Sequence, residues 1–169
     1  MRIDSHVHFW KYQPETYSWI DDSMKLIQKD FLPEDFETVM NSNEIDGCIL
    51  VQAVQSEAET EFLLKLSAEN NLVKGVVGWV DFSSEKVEEK LEKYSKNKIF
   101  KGVRHTVYDE RGEFLENPEF HNGISLLEKF GLTYDILVFD FQLAAAINLV
   151  EKFPYQKFIL DHIGKPQVS

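Results

Sequence analysis

Two histidines near the N-terminus are spaced so that they can share one ion. His6 and His8 lie two residues apart at the end of a segment, residues 2–8, that has the composition of a β-strand. Because side chains alternate across a strand, both imidazoles project from the same face. Neutral imidazole nitrogens bind zinc, and less selectively manganese or iron. The spacing predicts a divalent metal site, with a hydrogen-bonded pair of core histidines as the alternative.

Polar side chains also mark the other predicted strands, mostly where each strand ends. They are Gln52 and Gln55, Trp79 and Asp81, Arg104 and His105, Asp135, and Asp161 and His162. If the strands are parallel and form a barrel, these ends meet on one rim, where barrels assemble their active sites. We expect Gln52, Trp79 and Asp135 to bind substrate there.

Three of these side chains are candidates for catalysis. Arg104 and His105 are neighbours, so on a regular strand only one of them can point fully into a barrel. Arg104 is a permanent cation that can hold a carboxylate or an ester oxygen, or can form a salt bridge with an acidic side chain. His162 can bind a metal or polarise a scissile carbonyl. We predict that all three are catalytic and that His162 is also a metal ligand with His6 and His8.

Short apolar runs with β-strand composition alternate with helical patterns along the chain. The predicted strands are residues 2–8, 47–54, 75–81, 100–105, 132–137 and 157–162. This alternation predicts an α/β fold, a parallel β/α barrel, formed by one domain over residues 1–169. Six strand and helix units are fewer than the usual eight, so the C-terminal part of the barrel is expected to be missing. A truncated product is favoured over a partner chain that completes the fold and over an open doubly wound sheet.

Helix signals fill the intervals between the strands. Ser56 with Glu59 predicts a capping box, and Asn117 followed by Pro118 predicts a helix start. Other predicted boundaries are a start near Pro33, an end at Gly131, a cap at Asp140 and a stop at Pro154. The side chains expected to face inward are Phe36 and Val39; Phe62, Leu63 and Leu66; Val87, Leu91 and Tyr94; Ile124 and Leu127; and Leu143, Ile147 and Val150.

Two connections, residues 9–32 and 106–116, are too long to be simple turns. Both follow the C-terminal end of a predicted strand. The first is rich in aromatic residues, Phe9, Trp10, Tyr12, Tyr17 and Trp19. Such a loop is either a wall over a ligand pocket or a segment folded onto the barrel surface. On the first interpretation, Trp10 contacts the substrate.

Composition and charge exclude several classes of partner. Lys and Arg number 18 against 29 Asp and Glu, and the net charge of −11 disfavours nucleic acids and anionic membrane surfaces. The single cysteine, Cys48, has no intrachain disulfide partner, and neither a signal peptide nor a membrane span is evident. We expect a cytoplasmic protein with a small-molecule substrate, and homo-oligomerisation stays open.

Seven segments of the chain, taken in order, form a set of family motifs. They are IDSHVHFW (3–10), DFLPED (30–35), LVQA (50–53), EAET (57–60), GVVGWVD (75–81), GVRH (102–105) and LDHIGKP (160–166). Together they resemble the amidohydrolase-related family, and within it the sugar lactonases of the L-fuconolactonase and L-rhamnonolactonase type. The resemblance extends over essentially the whole chain.

The resemblance implies a β/α barrel that hydrolyses a lactone, a cyclic carboxylic ester, to a hydroxy acid. It implies that His6 and His8 are metal-site residues and that His162 lies beside the metal or the substrate. The residues implied to line the pocket are Gln52, Trp79, Arg104 and His105. Zinc is the implied metal, although members of the family differ in whether they need one.

One feature of the family pattern falls outside this sequence. The family has a further aspartate after its eighth strand, which acts as metal ligand and general base. We therefore expect the 169-residue chain alone to be inactive. Two alternatives to the lactonase remain: a metal-dependent decarboxylase of the same superfamily, and a non-catalytic binding subunit completed by a partner chain.

Overall fold

Strands and helices alternate along the chain in a computed structural model that describes residues 1–107 and 112–167. The strands are β1 (Ile3–Val7), β2 (Gly47–Val51), β3 (Val73–Gly78), β4 (Phe100–Thr106), β5 (Thr133–Leu137) and β6 (Phe158–Leu160). The helices are α1 (Pro33–Ser42), α2 (Glu57–Glu69), α3 (Val87–Ser95), α4 (Pro118–Leu127) and α5 (Leu143–Lys152). A short 3-10 turn, Asp161–Gly164, follows β6.

The six strands form one sheet in the order β1-β2-β3-β4-β5-β6, and every neighbouring pair is parallel. In a flat sheet, β1 and β6 would lie about 24 Å apart, because neighbouring strands are about 4.8 Å apart. Instead, the ring of His6, in β1, and the ring of His162, two residues after β6, lie 4.6 Å apart between centroids. The sheet is therefore curled into a partial barrel. This confirms the predicted parallel β/α barrel, and the alternative of an open doubly wound sheet is wrong.

The main core lies between the outer face of the sheet and the helices. Strand residues such as Leu50, Val76 and Val103 are inaccessible to solvent there. They pack with helix residues that are also inaccessible, including Leu63 and Leu91. Strands of parallel sheets are covered on this face by their crossover helices, which explains their near-continuous apolar runs.

Side-chain caps begin two helices where the sequence predicts them. Ser56 Oγ accepts a hydrogen bond from Glu59 N at 3.0 Å at the start of α2. Asn117 Oδ1 accepts one from Glu119 N at 2.8 Å, with Pro118 as the first residue of α4. Both helix starts are confirmed. The predicted capping box at Ser56 is not complete, however, because the Glu59 carboxylate binds the backbone of residues 53 and 54 instead.

The buried faces of α1 and α5 differ from prediction. In α1, Phe36 packs on the core as expected, but Met40 is buried and Val39 is half-exposed.

In α5, Ile147 is 56% exposed, whereas Leu149 is 2% exposed. The remaining differences in α5 are that Val150 is also exposed, that Ala145 and Ala146 are buried, and that Asp140 lies inside a 3-10 turn instead of capping the helix. Asn148, Glu151 and Lys152 mark the polar side of α5, but its apolar side is broad, so the sequence alone could not indicate which part of that side packs inward.

The last strand is shorter than predicted. Pairing of β6 with β5 ends at Leu160, opposite Ile136. The chain then turns, and His162 and Ile163 both have a φ of 50°, in the left-handed region. Residues 161 and 162 therefore do not alternate as strand residues do, and both reach the interior of the curled sheet.

Across residues 1–107 and 112–167, the helices are all too short or too polar to cross a lipid bilayer. Cys48 is a buried free thiol in the sheet.

Candidate active site

His6 and His8 project from the same face at the end of β1, and their Nε2 atoms lie 3.2 Å apart. His8 Nδ1 lies 2.7 Å from the backbone oxygen of Val51. A carbonyl can only accept, so His8 Nδ1 carries the proton and its Nε2 presents a lone pair to His6. Burial and then the positive charge of Arg104 lower the pKa of His8 to about 3. His8 is therefore a neutral imidazole, the form that binds metals.

Arg104 is buried inside the curled sheet and contacts residues at the ends of three strands, β1, β2 and β6. Its Nη1 donates to Asp161 Oδ2 at 2.9 Å and lies 3.2 Å from His6 Nε2. Its Nη2 donates to the backbone oxygen of Gln52, and Gln52 Nε2 donates back to the backbone oxygen of Arg104 at 3.1 Å. The guanidinium thus joins the ends of β1, β2 and β6 around one point.

Asp161 and His162 enter this centre from the turn after β6. Asp161 Oδ1 lies 3.6 Å from His6 Nδ1. Burial would raise the pKa of Asp161, but hydrogen bonds from His6 and Arg104 outweigh it, and the pKa lies below its usual value. Asp161 is a carboxylate in a buried ion pair. His162 is exposed to solvent, with its ring against that of His6.

The donor atoms at this centre fit a divalent metal. One ligand atom each from His6, Asp161 and His162 lie within 4.8 Å of one another. The 3.2 Å between the Nε2 atoms of His6 and His8 also matches two ligands of one zinc ion, which lie about 3.3 Å apart when each bond is about 2.0–2.1 Å. The two sets have His6 in common. Asp161 is thus a metal-ligand candidate in addition to the predicted trio of His6, His8 and His162.

A cavity of about 460 Å³ opens beside these residues on the inner face of the sheet. His6, Asp135, Asp161 and His162 are among its polar lining residues, together with Ser5, Lys101 and Thr133, and Ile159 is among its apolar ones. Asp135 lies opposite Arg104 in the pairing of β4 with β5. Burial and then the charge of Asp161 raise the pKa of Asp135 to about 7. The cavity thus presents both a carboxyl group and an exposed imidazole to a ligand.

The structure places His105 and Trp79 away from this centre. His105 points to the outer face of the sheet, where its ring contacts Phe82, Phe120 and Tyr134. Its Nε2 lies 3.0 Å from the backbone oxygen of Val80, and burial lowers its pKa to about 4. Trp79 and His105 line a separate cavity of about 140 Å³. Strand alternation explains the separation, since Arg104 points inward and its neighbour His105 points outward.

The aromatic loop, residues 9–32, is folded onto the rim next to His8. Trp10 and Phe31 exchange backbone hydrogen bonds of 2.9 and 3.0 Å, and Trp10 Nε1 donates to Lys29 O. Trp10, Tyr17 and Ile20 form a second buried cluster, and the Trp10 ring lies 6.5 Å from that of His8. In the other long connection, residues 108–111 lie outside the described part of the chain.

The structure therefore brings together six of the predicted site residues, whereas His105 and Trp79 lie apart from them and Trp10 lies on the rim beside His8. Those in the centre are His6, His8, Gln52, Arg104, Asp135 and His162. Asp161 belongs with them, but the sequence indicated only that it stands beside His162. Its position at the end of the sixth predicted strand was the only signal, because no local pattern indicated that the turn after β6 brings Asp161 and His162 to the same centre.

The chain is similar to known proteins over nearly its whole length. A family model described as amidohydrolase matches residues 3–169. The chain is 33% identical over its whole length to an L-fucono-1,5-lactonase of Burkholderia multivorans, and 26% identical over 99% of its length to one of Burkholderia ambifaria. It spans 57% and 58% of those two relatives, less than two thirds of their length.

Solved structures show the same fold. An amidohydrolase from Burkholderia multivorans with bound zinc superimposes with a TM-score of 0.93 at 32% identity, over 98% of this chain and 59% of that one. An amidohydrolase from Bifidobacterium longum subsp. infantis gives a TM-score of 0.73 at 18% identity, over 99% of this chain and 64% of that one. Because the family model spans nearly every residue, the chain belongs to the amidohydrolase family.

Proposed function

We propose that the protein takes part in hydrolysis of a small sugar-acid lactone to its hydroxy acid. The observation that carries this proposal is the contact of Arg104 with both His6 and Asp161, which joins the ends of β1, β4 and β6 beside an open cavity. The 33% identity to an L-fucono-1,5-lactonase supports the choice of substrate class. Activity and substrate are proposals because the chain spans only 57% of that relative.

A neutral ring suits the charge balance of this centre. Arg104 and Asp161 already form a buried pair, so the charges of these two side chains compensate each other before a ligand binds. The exposed imidazole of His162 faces the cavity and can donate a hydrogen bond to the lactone carbonyl. Asp135 can hydrogen-bond a hydroxyl group of the sugar.

Hydrolysis requires water to add to the carbonyl carbon, after which the ring C–O bond breaks and the released alkoxide takes a proton. Negative charge develops on the carbonyl oxygen during the addition. Arg104 supplies fixed positive charge near that position, and Asp161 keeps the guanidinium in place. His162 is positioned to stabilise the same oxyanion.

A divalent metal, zinc in our proposal, would be held by His6 with His8, or by His6 with Asp161 and His162. When bound, it would polarise the carbonyl and lower the pKa of a water molecule. The hydrogen bond from His8 Nδ1 to Val51 O fixes the tautomer in which Nε2 carries the lone pair that would bind the metal.

The test measures ring opening of five- and six-membered sugar lactones, including L-fucono-1,5-lactone, by acid release. It uses the protein and a chimera in which this chain replaces the matching region of the Burkholderia multivorans relative. We expect zinc-stimulated hydrolysis in at least one of them. His162→Gln should lower kcat by about 10²–10³, the usual effect of removing one oxyanion donor.

His121→Gln is the matched control, because His121 lies on α4 and hydrogen-bonds Leu115 O, away from the centre. It should leave kcat unchanged. Failure of both proteins on every lactone, or equal effects of the two histidine substitutions, would rule out the proposed centre. Carbon dioxide release from aromatic acids in place of lactone opening would establish the decarboxylase alternative.

A further inference from the structure

Glu59 is a buried carboxylate in the first turn of α2, only 5% exposed. Its Oε2 accepts hydrogen bonds from the backbone nitrogens of Ala53 at 2.9 Å and Val54 at 2.8 Å. Burial raises its pKa to about 7, although these two hydrogen bonds oppose the rise. Burying a carboxyl group is costly, and the two hydrogen bonds from the loop offset part of that cost.

The loop that Glu59 holds continues directly from the residues that hold the candidate active site. Val51 O accepts the hydrogen bond from His8 Nδ1 at 2.7 Å. Gln52 O accepts the hydrogen bond from Arg104 Nη2. Residues 51–54 thus carry, in sequence, two carbonyls that fix His8 and Arg104 and two amides that are fixed by Glu59.

The aromatic loop, residues 9–32, packs against Glu59 and against residues 53 and 54. Tyr17 is buried, its hydroxyl lies beside the Glu59 carboxylate, and the interaction raises the pKa of Tyr17 after burial itself. Ala53 and Val54 pack against the cluster of Trp10, Tyr17 and Ile20. Glu59 therefore lies under the junction of the two loops that border His8.

We propose that Glu59 is a positioning residue that fixes residues 51–54, so that Val51 O and Gln52 O hold His8 and Arg104 in place. It acts through the backbone and touches neither a metal ligand nor the substrate cavity. The effect on His8 is independent of the reaction. Only an effect on turnover rests on the proposed lactonase function.

Three variants separate this role from a general effect of charge at the start of the helix. In Glu59→Gln, the amide oxygen can still accept from Ala53 and Val54. In Glu59→Leu, the side-chain volume is kept but both backbone donors lose their acceptor. Glu57→Gln is the matched control, because Glu57 lies in the same first turn and pairs with Lys90 on the surface of α3 instead of binding the loop.

Two measurements report the position of His8 without relying on turnover. The first is the NMR signal of the proton on His8 Nδ1, detected through nitrogen-15. This proton should exchange slowly with water while Nδ1 donates to Val51 O. The second is zinc affinity, measured by competition with a chromophoric chelator. For Glu59→Leu we expect loss of the Nδ1–H signal and zinc affinity lower by about 10–100-fold, as for other partners that orient metal ligands. Glu59→Gln and Glu57→Gln should both resemble the native protein.

The proposal is overturned if Glu59→Leu keeps both the His8 signal and the native zinc affinity. It is also overturned if Glu59→Gln is as impaired as Glu59→Leu, because charge and not the acceptor geometry would then matter. If Glu59→Leu does not fold, Glu59→Asp replaces it, since the shorter side chain keeps the charge but withdraws the acceptor. A native His8 signal in Glu59→Asp, despite faster amide exchange at Ala53 and Val54, would likewise refute positioning.

The two proposals can fail separately. If the lactone assays are negative while Glu59→Leu still displaces His8, the positioning role stands and the proposed function falls. If lactones are opened, Glu59→Leu should lower kcat more than it raises KM, and Glu59→Gln should restore kcat.

Discussion

The buried ion pair between Arg104 and Asp161 is the most constrained contact at the scale of single residues. Both side chains are almost completely inaccessible to solvent, and Nη1 lies 2.9 Å from Oδ2. Removing one partner leaves the other charge buried and unpaired, which is far more costly than losing an exposed pair. This contact therefore determines both the stability and the geometry of the centre.

We expect Arg104→Met to lower the free energy of unfolding by about 3–5 kcal/mol at neutral pH. Lys93→Met, which breaks an exposed pair with Glu61, should cost about 0–1 kcal/mol. Urea denaturation measures both.

The pKa of folded Asp161 lies below its ordinary value of 3.8. The ion pair with Arg104 therefore stabilises the folded protein above that pH, and this stabilisation is lost as pH falls further. A cost that stays the same at pH 3 would contradict this assignment.

His105 provides a pH prediction. Its pKa is about 4 in the folded protein against an ordinary 6.5, so the unfolded chain takes up a proton first as pH falls. The stability due to neutral His105 should be complete above pH 6.5 and should decrease by about 1.4 kcal/mol per pH unit down to pH 4. His105→Phe should flatten the pH dependence in this window. Parallel curves for the two proteins, from denaturation at pH 7.5, 5.5 and 4.5, would refute it.

The same substitution bears on the catalytic role that the sequence indicates for His105. Its ring is enclosed by aromatic side chains on the outer face of the sheet, apart from the cavity that contains His162. From that placement we expect His105→Phe to retain metal binding at pH 7.5. Loss of zinc affinity in a folded His105→Phe protein would show that the two regions are coupled.

At the scale of elements, the contact between α4 and the connection after β3 depends on a glycine. A Cβ atom added at Gly123 would lie 2.2 Å from Cγ of Phe82, deep in the core. We expect Gly123→Ala to destabilise the protein by about 1–3 kcal/mol through overpacking. This would occur even though alanine is the better helix former by about 1 kcal/mol.

Ser125→Ala is the control, because Ser125 is exposed on the same helix and should change stability by no more than about 0.5 kcal/mol. Thermal or urea unfolding compares the two variants. If Gly123→Ala is stabilising, α4 does not pack against Phe82 as described.

At the scale of the whole molecule, the surface formed by α5 and β6 is unusually apolar. Ile147, Val150 and Leu160 are exposed along a groove of about 260 Å³, and Ile159 is exposed on the opposite face of β6. Apolar residues on both faces are typical of a strand covered on both sides, not of a sheet edge.

A pair of substitutions on α5 tests this description. Leu149→Ala should cost about 2–5 kcal/mol because Leu149 is buried against the sheet. Ile147→Ala should change stability by no more than about 0.5 kcal/mol because its side chain is exposed. Equal costs, measured by urea denaturation at low protein concentration, would mean that another surface covers this face in solution.

The order and type of the elements followed from local patterns. Strand composition, the caps at Ser56 and Asn117 and the stripe of Val87, Leu91 and Tyr94 each depend on neighbours a few residues away. Such signals are visible in a single sequence. The buried face of α5 is not, because its apolar side is wider than the part that packs inward, and only the adjacent strands select that part.

The sequence by itself determined that the chain forms a parallel β/α sheet and that polar residues gather at the ends of its strands. Alternation of side chains also indicated that Arg104 and His105 diverge, although not which one points inward. Only the tertiary structure decided that Arg104 reaches Asp161, that the turn after β6 brings Asp161 beside His6, and that Glu59 holds residues 53 and 54. The physical reason is that the curl of the sheet joins residues as far apart in the sequence as His6 and Asp161, which are separated by 155 positions, and no local pattern encodes such a contact.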